Sequence, residues 1–254
     1  LLNITNDHID WHGSMQNYIS SKLKIFNLQN KKNFALLNRD LKTKYKKKRY
    51  RGKLILPKFR DYKKIKAKIK NNYLTSKTND ENMSFAYSLS KILKIDNRAF
   101  IKSMNSFSGL PHRYEVFLKR KGITFINDSK ATSFQATKFA LSSSKNIYWI
   151  LGGLPKDNDK INLNSVKNNI IKSYIIGKKI SFFKKQIQKK TNFLITKNLK
   201  KSVISVFKDI KLNRKVNCTV LLSPGAASFD QFKNFEIRGN KFKELCKFYA
   251  KKFI

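Results

Sequence analysis

Acidic residues and cysteines are scarce in this 254-residue sequence. Asp and Glu together number 15 against 56 Lys and Arg, which gives a formal net charge of +41 at pH 7. Cys218 and Cys246 are the only cysteines, one in a strand-like and one in a helix-like segment, so we expect buried thiols in a reducing compartment and no disulfide framework. No apolar run approaches the roughly 20 residues that span a bilayer, which predicts no membrane insertion.

The amino-terminal residues lack the features of a secretory signal. In LLNITNDHID no basic lead precedes an apolar stretch, and no cleavage pattern follows. An initiator Met is also absent, which favours a chain that starts inside a longer reading frame. Together with the expected thiols, these features predict a cytoplasmic location.

The positive charge admits two interpretations. Clustered cations release counterions from phosphate, so one alternative is a basic nucleic-acid-binding module. The other is a compositional drift toward Lys, Asn and Ile on all solvated faces. Lys far outnumbers Arg, and Lys occurs in nearly every segment instead of in one tail. We therefore favour drift over a dedicated nucleic-acid function, and we expect the charge to attract anionic ligands, nucleotides among them.

The first part of the chain mixes helix and strand signals. Leu1 to Thr5 is predicted to end a buried strand, and Ser14 is predicted to cap a helix. Short strands are predicted at 33–37 and 53–56, and helices at 80–94 and 96–107. The segment Ser-Gly-Leu-Pro at 108–111 interrupts the pattern, so we place a domain boundary there, with domains 1–108 and 109–254.

The second part alternates strands with helices. It opens with a predicted hairpin, 114–118 and 123–127, joined by a turn at Lys121-Gly122. Strands are then predicted at 146–151, 173–176, 193–196 and 218–222, and helices at 133–143, 164–171, 178–189, 199–211 and 238–253. Such alternation predicts an α/β fold with a mostly parallel, doubly wound sheet.

Two stretches have the pattern of ligand sites. At 220–222 an apolar run stops at Ser-Pro-Gly-Ala-Ala-Ser, and a polar, aromatic segment follows up to Asn240. A strand that opens into such a loop is typical of sites at the carboxyl ends of strands. NDSKAT, residues 127–132, likewise ends a strand in polar residues before a helix, where backbone N–H groups and the positive helix end favour an anion.

Asp7, His8 and Asp10 lie together in the first loop. One interpretation is a capped loop with a surface His. The other is a Mg²⁺ and phosphate site at the carboxyl end of a strand. Mg²⁺ prefers carboxylate and water oxygens, so a His would be an unusual direct ligand.

These motifs together resemble the Mur ligases of peptidoglycan synthesis. NITNDHID at 3–10, GLPHRYE at 109–115, NDSKAT and the stretch 221–240 carry the resemblance, which extends from the first residue almost to the last. It implies an α/β chain in which part of the central ATP-binding domain, 1–108, precedes a Rossmann-like, doubly wound C-terminal domain, 109–254. NDSKAT with DQFKNFEIRGN is most similar to the branch that adds D-glutamate. A sister ligase for another amino acid, such as a folate polyglutamating enzyme, remains an alternative.

The resemblance also implies a reaction and its participants. D-glutamate would be joined to UDP-N-acetylmuramoyl-L-alanine through an acyl phosphate, with ATP and Mg²⁺ as cofactors and a monomeric full-length enzyme. No GxxxxGK[ST] loop occurs in the sequence, and the family's UDP-binding domain and the central-domain Glu that binds Mg²⁺ have no counterpart. We therefore predict that this chain alone has no ligase activity.

In the first part of the chain, three residues match the family's site pattern. Lys22 alone would be a solvated helix residue, but the resemblance implies that CO₂ carbamylates it and that the carbamate binds Mg²⁺, with His8 at the same metal site. Carbamylation first requires the neutral amine of Lys22, a form that burial or cationic neighbours promote. Asn82 would contact the base of ATP. The family has a second Asn one turn further on, where this chain has Phe85, so the side chain for that second contact is missing.

Most of the implied site lies in the second part. Arg113 would reach the ATP phosphates, although on its own it is an ordinary surface cation, and Asp128 would bind the ribose. Lys130 and Thr132 would hold the incoming D-glutamate, and Lys156 is a further candidate for a substrate carboxylate.

The last two implied site residues follow the final predicted strand. The Ser228 hydroxyl and the backbone around Phe235 would contact the side-chain carboxylate of D-glutamate. Phe229 replaces the family's usual Leu, a substitution between apolar residues that we expect to be tolerated.

Overall fold

The strands form two sheets in the residues that the computed structural model describes, which are 1–4, 9–45, 50–156, 159–213 and 217–253. Each sheet belongs to one of two structural units. The first unit spans Leu1–Ser108 and the second spans Gly109–Ile254.

The first unit is mainly helical around a two-stranded parallel sheet. Its helices are α1 (Ile9–His12), α2 (Met15–Leu23), α3 (Arg39–Lys44), α4 (Phe59–Lys66), α5 (Asp80–Ile92) and α6 (Asn97–Ser106), and its strands are β1 (Phe34–Leu36) and β2 (Lys53–Ile55). The predicted cap at Ser14 is confirmed, because its Oγ accepts the N–H of Asn17 at 3.1 Å. Asp96 caps α6 in the same way, with Oδ1 accepting the N–H of Ala99 at 2.9 Å. One apolar cluster packs around Phe26 and Leu37, and a second packs around Tyr62 and Met83.

The strand predicted at the amino terminus is wrong for the residues described there, 1–4. The amino group of Leu1 donates to Leu36 O at 2.6 Å, and Leu1 O accepts the N–H of Asn38 at 3.1 Å. These bonds place Leu1 beside β1. They involve only one residue of the amino-terminal segment, and a ladder of the kind that defines a strand needs several.

The second unit contains a six-stranded sheet with helices on both faces. Its elements are β3 (Glu115–Arg120), β4 (Ile123–Asn127), α7 (Phe134–Ser143), β5 (Ile147–Gly152), β6 (Ile170–Ile176), α8 (Ile180–Ile187), β7 (Phe193–Lys197), α9 (Leu199–Leu212), β8 (Thr219–Leu222) and α10 (Phe235–Phe253). The strand order is β3-β4-β8-β5-β6-β7, with β3 antiparallel to β4 and the other neighbours parallel. The predicted α/β class with a mostly parallel sheet is confirmed.

Alternation along β5 shows how the sheet fills both of its faces. Tyr148 and Ile150 pack into the cluster shared with α9 and α10, whereas Trp149 and Leu151 pack into the cluster shared with α7 and α8. Because successive side chains of a strand point to opposite faces, a strand buried on both sides is apolar throughout. Both cysteines are buried in the first of these clusters, as predicted.

The helix predicted at 164–171 is wrong. A short 3₁₀ turn, Lys167–Asn169, occupies this segment, and β6 begins at Ile170. Leu163, Val166 and Ile170 are all buried. Their spacing of three and four residues matches a helix, although Leu163 and Val166 belong to a connection and Ile170 to a strand.

The fold places the carboxyl ends of the five parallel strands along one edge of the sheet. β8 lies between β4 and β5, although it is the last strand in the sequence. Parallel strands end at the same edge, so the segments that follow β4, β5, β6 and β8 lie side by side there. This is the position at which open α/β sheets bind ligands.

Candidate functional site

Asp128 is anchored between the ends of β4 and β8. Its backbone N–H donates to Leu222 O at 2.7 Å, and its carboxylate accepts the Ser223 hydroxyl at 2.7 Å and the Tyr114 N–H at 3.0 Å. The side chain is buried. Two hydrogen bonds leave carboxylate lone pairs available, so a ligand hydroxyl has acceptors to bind.

Burial raises the pKa of Asp128 to about 6, since a carboxylate loses solvation when it leaves water. The Ser223 hydroxyl, the Tyr114 N–H and the charge of Arg113 act in the opposite direction and favour the ionised form. The Arg113 side chain itself is exposed. The carboxylate therefore lies within the electrostatic influence of a cation that remains available to solvent and ligands.

This raised pKa predicts a pH dependence of stability. Between the ordinary value of 3.8 and about 6, the folded protein retains a proton that the unfolded chain has released. The stabilisation from protonated Asp128 is therefore present below pH 3.8 and is lost as the pH rises through about 6. Between pH 4 and pH 7 the wild-type protein should lose roughly 2 kcal/mol of unfolding free energy through this group, and Asp128→Asn should abolish that dependence, measured by urea unfolding across the range. Glu244→Gln, at an exposed position of α10, should retain the wild-type slope, and parallel curves for Asp128→Asn and the wild type would contradict the assignment.

Arg238 joins three segments at this edge. Its Nε donates to Ser129 Oγ at 3.0 Å, and its Nη2 donates to Ser129 O at 2.8 Å and to Ala226 O at 3.0 Å. Ser129 Oγ in turn donates to Phe235 O at 2.8 Å. The segment after β4, the segment after β8 and the first turn of α10 are thus tied to one buried guanidinium.

Lys130 and Phe235 are brought into contact by the same arrangement. The Lys130 ammonium lies 4.5 Å from the centroid of the Phe235 ring, and its backbone N–H donates to His112 O at 3.0 Å. The His112 ring meets Phe235 edge to face at 5.8 Å. Lys130 is exposed and Phe235 is half-buried, so a cation and an aromatic ring face the open side of the site together.

A buried polar network fixes the segment that carries Arg113. Asn127 Nδ2 lies 2.9 Å from His112 Nδ1 and donates to Glu115 Oε2 at 2.8 Å. Glu115 Oε2 also accepts the His112 N–H at 2.9 Å, and Glu115 Oε1 accepts from Lys243 at 2.9 Å. Burial is the main cause that lowers the pKa of His112, which favours the neutral imidazole.

The amino end of α7 does not offer an anion site, contrary to our expectation from NDSKAT. Asp159 Oδ2 accepts the N–H of Phe134 at 2.8 Å, and Ser133 Oγ accepts that of Ala136 at 3.4 Å. The protein's own carboxylate therefore takes the place expected for a ligand. Thr132, half-buried, lies just before this helix. Lys156 lies in the same segment as Asp159, so the contact links the chain regions of Thr132 and Lys156.

Ser228 lies beside the segment after β5. Leu154 and Ala227 exchange two backbone hydrogen bonds of 2.9 Å, which joins the Lys156 segment to the one that follows β8. Ser228 is buried, and its carbonyl accepts the N–H groups of Gln231 and Phe232. Of the site residues predicted in this unit, the structure thus places Asp128, Lys130, Thr132, Lys156, Ser228 and Phe235 on adjacent segments of one sheet edge.

The residues predicted in the first unit have less support. Lys22 is exposed in the last turn of α2, with its ammonium 5.4 Å from the centroid of the Tyr18 ring. The burial that would promote a neutral amine is therefore not present. Asn82 is exposed in the first turn of α5 and donates to Asn79 Oδ1 at 3.1 Å. His8 lies outside the described residues.

The sequence matches one family over most of its length. Residues 1–104 match the family model of the Mur ligase middle domain. The UDP-N-acetylmuramoylalanine--D-glutamate ligase of Wolbachia sp. subsp. Brugia malayi is 35% identical over 99% of this chain, and that of Rickettsia felis is 32% identical over 97%. The chain belongs to the Mur ligase family. It spans 53% and 60% of the length of these two relatives.

Solved structures agree with the Mur ligase fold. MurF ligase from Thermotoga maritima in complex with ADP superposes with a TM-score of 0.62 at 12% identity, covering 99% of this chain and 62% of that one. MurF from Acinetobacter baumannii superposes with a TM-score of 0.63 at 11% identity, covering 97% of this chain and 58% of that one. Similarity at this level of identity supports the fold alone.

The described residues of this Mur ligase chain fit a nucleotide better than a metal ion. Asp128 and Arg113 offer an acceptor and a cation suited to a ribose and a phosphate. Among the residues that the structure describes, no group of three or more His, Cys, Asp or Glu could hold a metal ion.

Within the described part of the chain no helix is long and apolar enough to cross a membrane.

Sequence reasoning missed Arg238, Ser223, Asp159 and the pair His112–Asn127 as parts of this candidate site. The sequence predicts Arg238 only as the first residue of a helix. The scarcity of Arg and its place in DQFKNFEIRGN were the available signals. Nothing local marks Asp159 as the partner of a helix 25 residues earlier.

Proposed function

We propose that this chain contributes the D-glutamate pocket and part of the nucleotide site of an ATP-dependent ligase. That enzyme would join D-glutamate to UDP-N-acetylmuramoyl-L-alanine in the synthesis of peptidoglycan precursors. The observation that supports this most directly is the grouping of Asp128, Lys130, Ser228 and Phe235 on adjoining segments at the carboxyl edge of β4 and β8. The names of the curated relatives point to the same reaction.

On the nucleotide side, Asp128 is suited to accept hydrogen bonds from a ribose. Its carboxylate is held by Tyr114 and Ser223, so little orientational freedom is lost when a ligand binds. Arg113, exposed beside it, supplies a guanidinium for phosphate oxygens. Asn82 would meet the base. When bound, ATP supplies the phosphoryl group that activates the substrate carboxylate as an acyl phosphate.

On the D-glutamate side, two cations and two hydroxyls would bind the amino acid. Lys130, held over the Phe235 ring, and Lys156 would bind carboxylates, and Thr132 would add a hydroxyl donor. Ser228 and the backbone at Phe235 would hold the side-chain carboxylate. Fixing the amino acid at several points orients its amine toward the activated carboxyl group, which is how enzymes gain rate from proximity.

The metal side of the proposal rests on fewer residues. Lys22, as a carbamate, and His8 would contribute to a Mg²⁺ site in the first unit. We assign this unit, 1–108, to the central ATP-binding domain and 109–254 to the C-terminal domain. The location that fits the reaction is the cytoplasm.

A binding experiment on the purified chain tests the pocket without requiring turnover. We expect D-glutamate to shift the backbone amide resonances of Ser129, Lys130, Ser228 and Phe235 in ¹⁵N-labelled protein, and L-glutamate to bind more weakly. Ser228→Ala should lower the affinity about tenfold, because a hydrogen bond to a charged group is lost.

The matched control is Lys119→Ala. Lys119 is exposed on β3 near the turn to β4, at the opposite edge of the sheet. Its removal takes away one positive charge, as Lys130→Ala does, and should leave the D-glutamate affinity unchanged, whereas Lys130→Ala should weaken it. Shifts confined to other surfaces, or no binding of D-glutamate, would refute the proposed function.

A further inference from the structure

Among the residues that the structure describes, no carboxylate is bonded to the buried Arg238 guanidinium. The residue is 1% exposed, and its Nε and Nη2 donate to the neutral oxygens of Ser129 and Ala226. Its Nη1 is buried and has no hydrogen-bond partner in the described part of the chain. A buried charge is ordinarily paired, and a buried donor is ordinarily bonded. Arg238 therefore has both a charge and a donor to satisfy.

The acidic group that acts electrostatically on Arg238 does not meet this need. Asp230 influences Arg238 electrostatically, but its Oδ2 accepts the backbone N–H of Lys178 at 2.8 Å. No hydrogen bond joins Asp230 to Arg238 in the residues described. Burial lowers the pKa of Arg238 to about 10. That direction shows that desolvation outweighs the attraction of Asp230.

The position of this cation relates it to the D-glutamate pocket. Ala226, which accepts from Nη2, lies two residues before Ser228, and Ser129, which accepts from Nε, lies next to Lys130. Ser129 also binds the backbone carbonyl of Phe235. The segments that carry Lys130, Ser228 and Phe235 are thus bonded to Arg238 directly or through Ser129.

We propose that Arg238 determines the selectivity of this pocket for an amino acid with a side-chain carboxylate, through its uncompensated positive charge and its unpaired Nη1 donor. A charge in a poorly solvated site attracts an anion over several Å. A neutral amide side chain of the same shape gains little from that field. The inference rests on the proposed function, since it concerns the ligand of the same pocket.

The test compares two ligands that differ in charge and not in shape. Isothermal titration of the whole chain with D-glutamate and D-glutamine should show a preference for D-glutamate. In Arg238→Gln, D-glutamate affinity should fall roughly tenfold or more while D-glutamine affinity changes little, because only the anion loses a charged partner. The preference itself is the readout, and a residue that merely shapes the pocket would not alter it.

Ser129→Ala is the matched control. It removes the hydroxyl that Nε binds and that donates to Phe235 O, but it leaves the positive charge in place. Both affinities should fall together, with the preference kept. Equal weakening of both ligands by Arg238→Gln would overturn the inference and leave Arg238 as a structural cross-link. Failure of the wild-type chain to bind D-glutamate would contradict the proposed function instead.

A second measurement uses the wild-type chain, so it tests the inference even if Arg238→Gln does not fold. Side-chain ¹⁵N–¹H resonances of Arg238 in the wild-type chain should move on addition of D-glutamate and remain in place with D-glutamine. Movement of the Ser228 amide with D-glutamate, while the Arg238 guanidinium signals stay unchanged, would support the pocket and overturn the role of Arg238.

Discussion

Replacement of Trp149 by Ala is expected to destabilise the second unit by about 3–5 kcal/mol, among the largest effects of any single substitution in this chain. Trp149 is fully buried between the sheet and α7 and α8, and its Nε1 donates to Ser223 O at 2.8 Å. Truncation leaves a cavity and a buried carbonyl without its donor, and both terms reduce stability. Urea unfolding followed by circular dichroism measures the loss.

Trp11 is the natural control for this substitution, since the chain contains only two Trp residues. Trp11 is 85% exposed, so Trp11→Ala should change the unfolding free energy by no more than about 0.5 kcal/mol. The same variant leaves Trp149 as the single indole fluorophore, which reports unfolding of the second unit. A loss below about 1 kcal/mol in Trp149→Ala would contradict the packing described here.

Gly152→Ala is expected to destabilise the second unit by at least about 3 kcal/mol. Gly152 ends β5 with φ +130°, and a Cβ there would lie 2.0 Å from Ile176 O on the neighbouring strand. That oxygen belongs to the backbone of β6, so relief of the collision requires the two strands to separate. The midpoint and slope of urea unfolding are the measurements.

Gly109→Ala separates backbone strain from the collision. Gly109 also has a positive φ, +92°, but a Cβ there meets nothing within 4 Å. Gly109→Ala should therefore lower the unfolding free energy by about 1–2 kcal/mol, from the unfavourable backbone conformation alone. Equal losses in the two variants would show that the close approach of β5 and β6 does not limit the side chain at position 152.

Core packing and the candidate site meet at Ser223. Its carbonyl accepts from Trp149, and its hydroxyl donates to Asp128. The residue that orients the Asp128 carboxylate is thus itself positioned by the largest side chain of the core. This arrangement gives the site the rigidity that precise recognition requires, and it explains why a core substitution at Trp149 should also disturb ligand binding.

Much of the second unit could be predicted from local patterns. The turn at Lys121-Gly122 and the alternation on either side specified the hairpin of β3 and β4, and short apolar runs marked the parallel strands. The periodicity of a strand or helix depends on residues a few positions apart, so it can be recognised in the sequence without knowledge of tertiary contacts. The segment at 164–171 failed because buried residues in a connection and a following strand reproduced helical spacing.

The first unit shows the opposite limit. α4 was not predicted, although Tyr62, Ile65 and Ile69 follow helical spacing and are buried. The many Lys residues around them obscured this pattern. Lys22 shows a different limit, because the motif predicts a role for the residue but does not indicate that its side chain is exposed.

The sequence by itself determined the alternation of strands and helices, the helix cap at Ser14 and the family, because each depends on residues close together along the chain or on short motifs. Only the tertiary structure decided which polar groups are paired. Ser223 reaches Asp128 across 95 residues, Arg238 reaches Ser129 across 109, and Asp159 covers the end of α7 from 25 residues away. Such pairings follow from the order of strands in the sheet. A local pattern contains no information about them, so the unpaired donor of Arg238 becomes apparent only once the chain is folded.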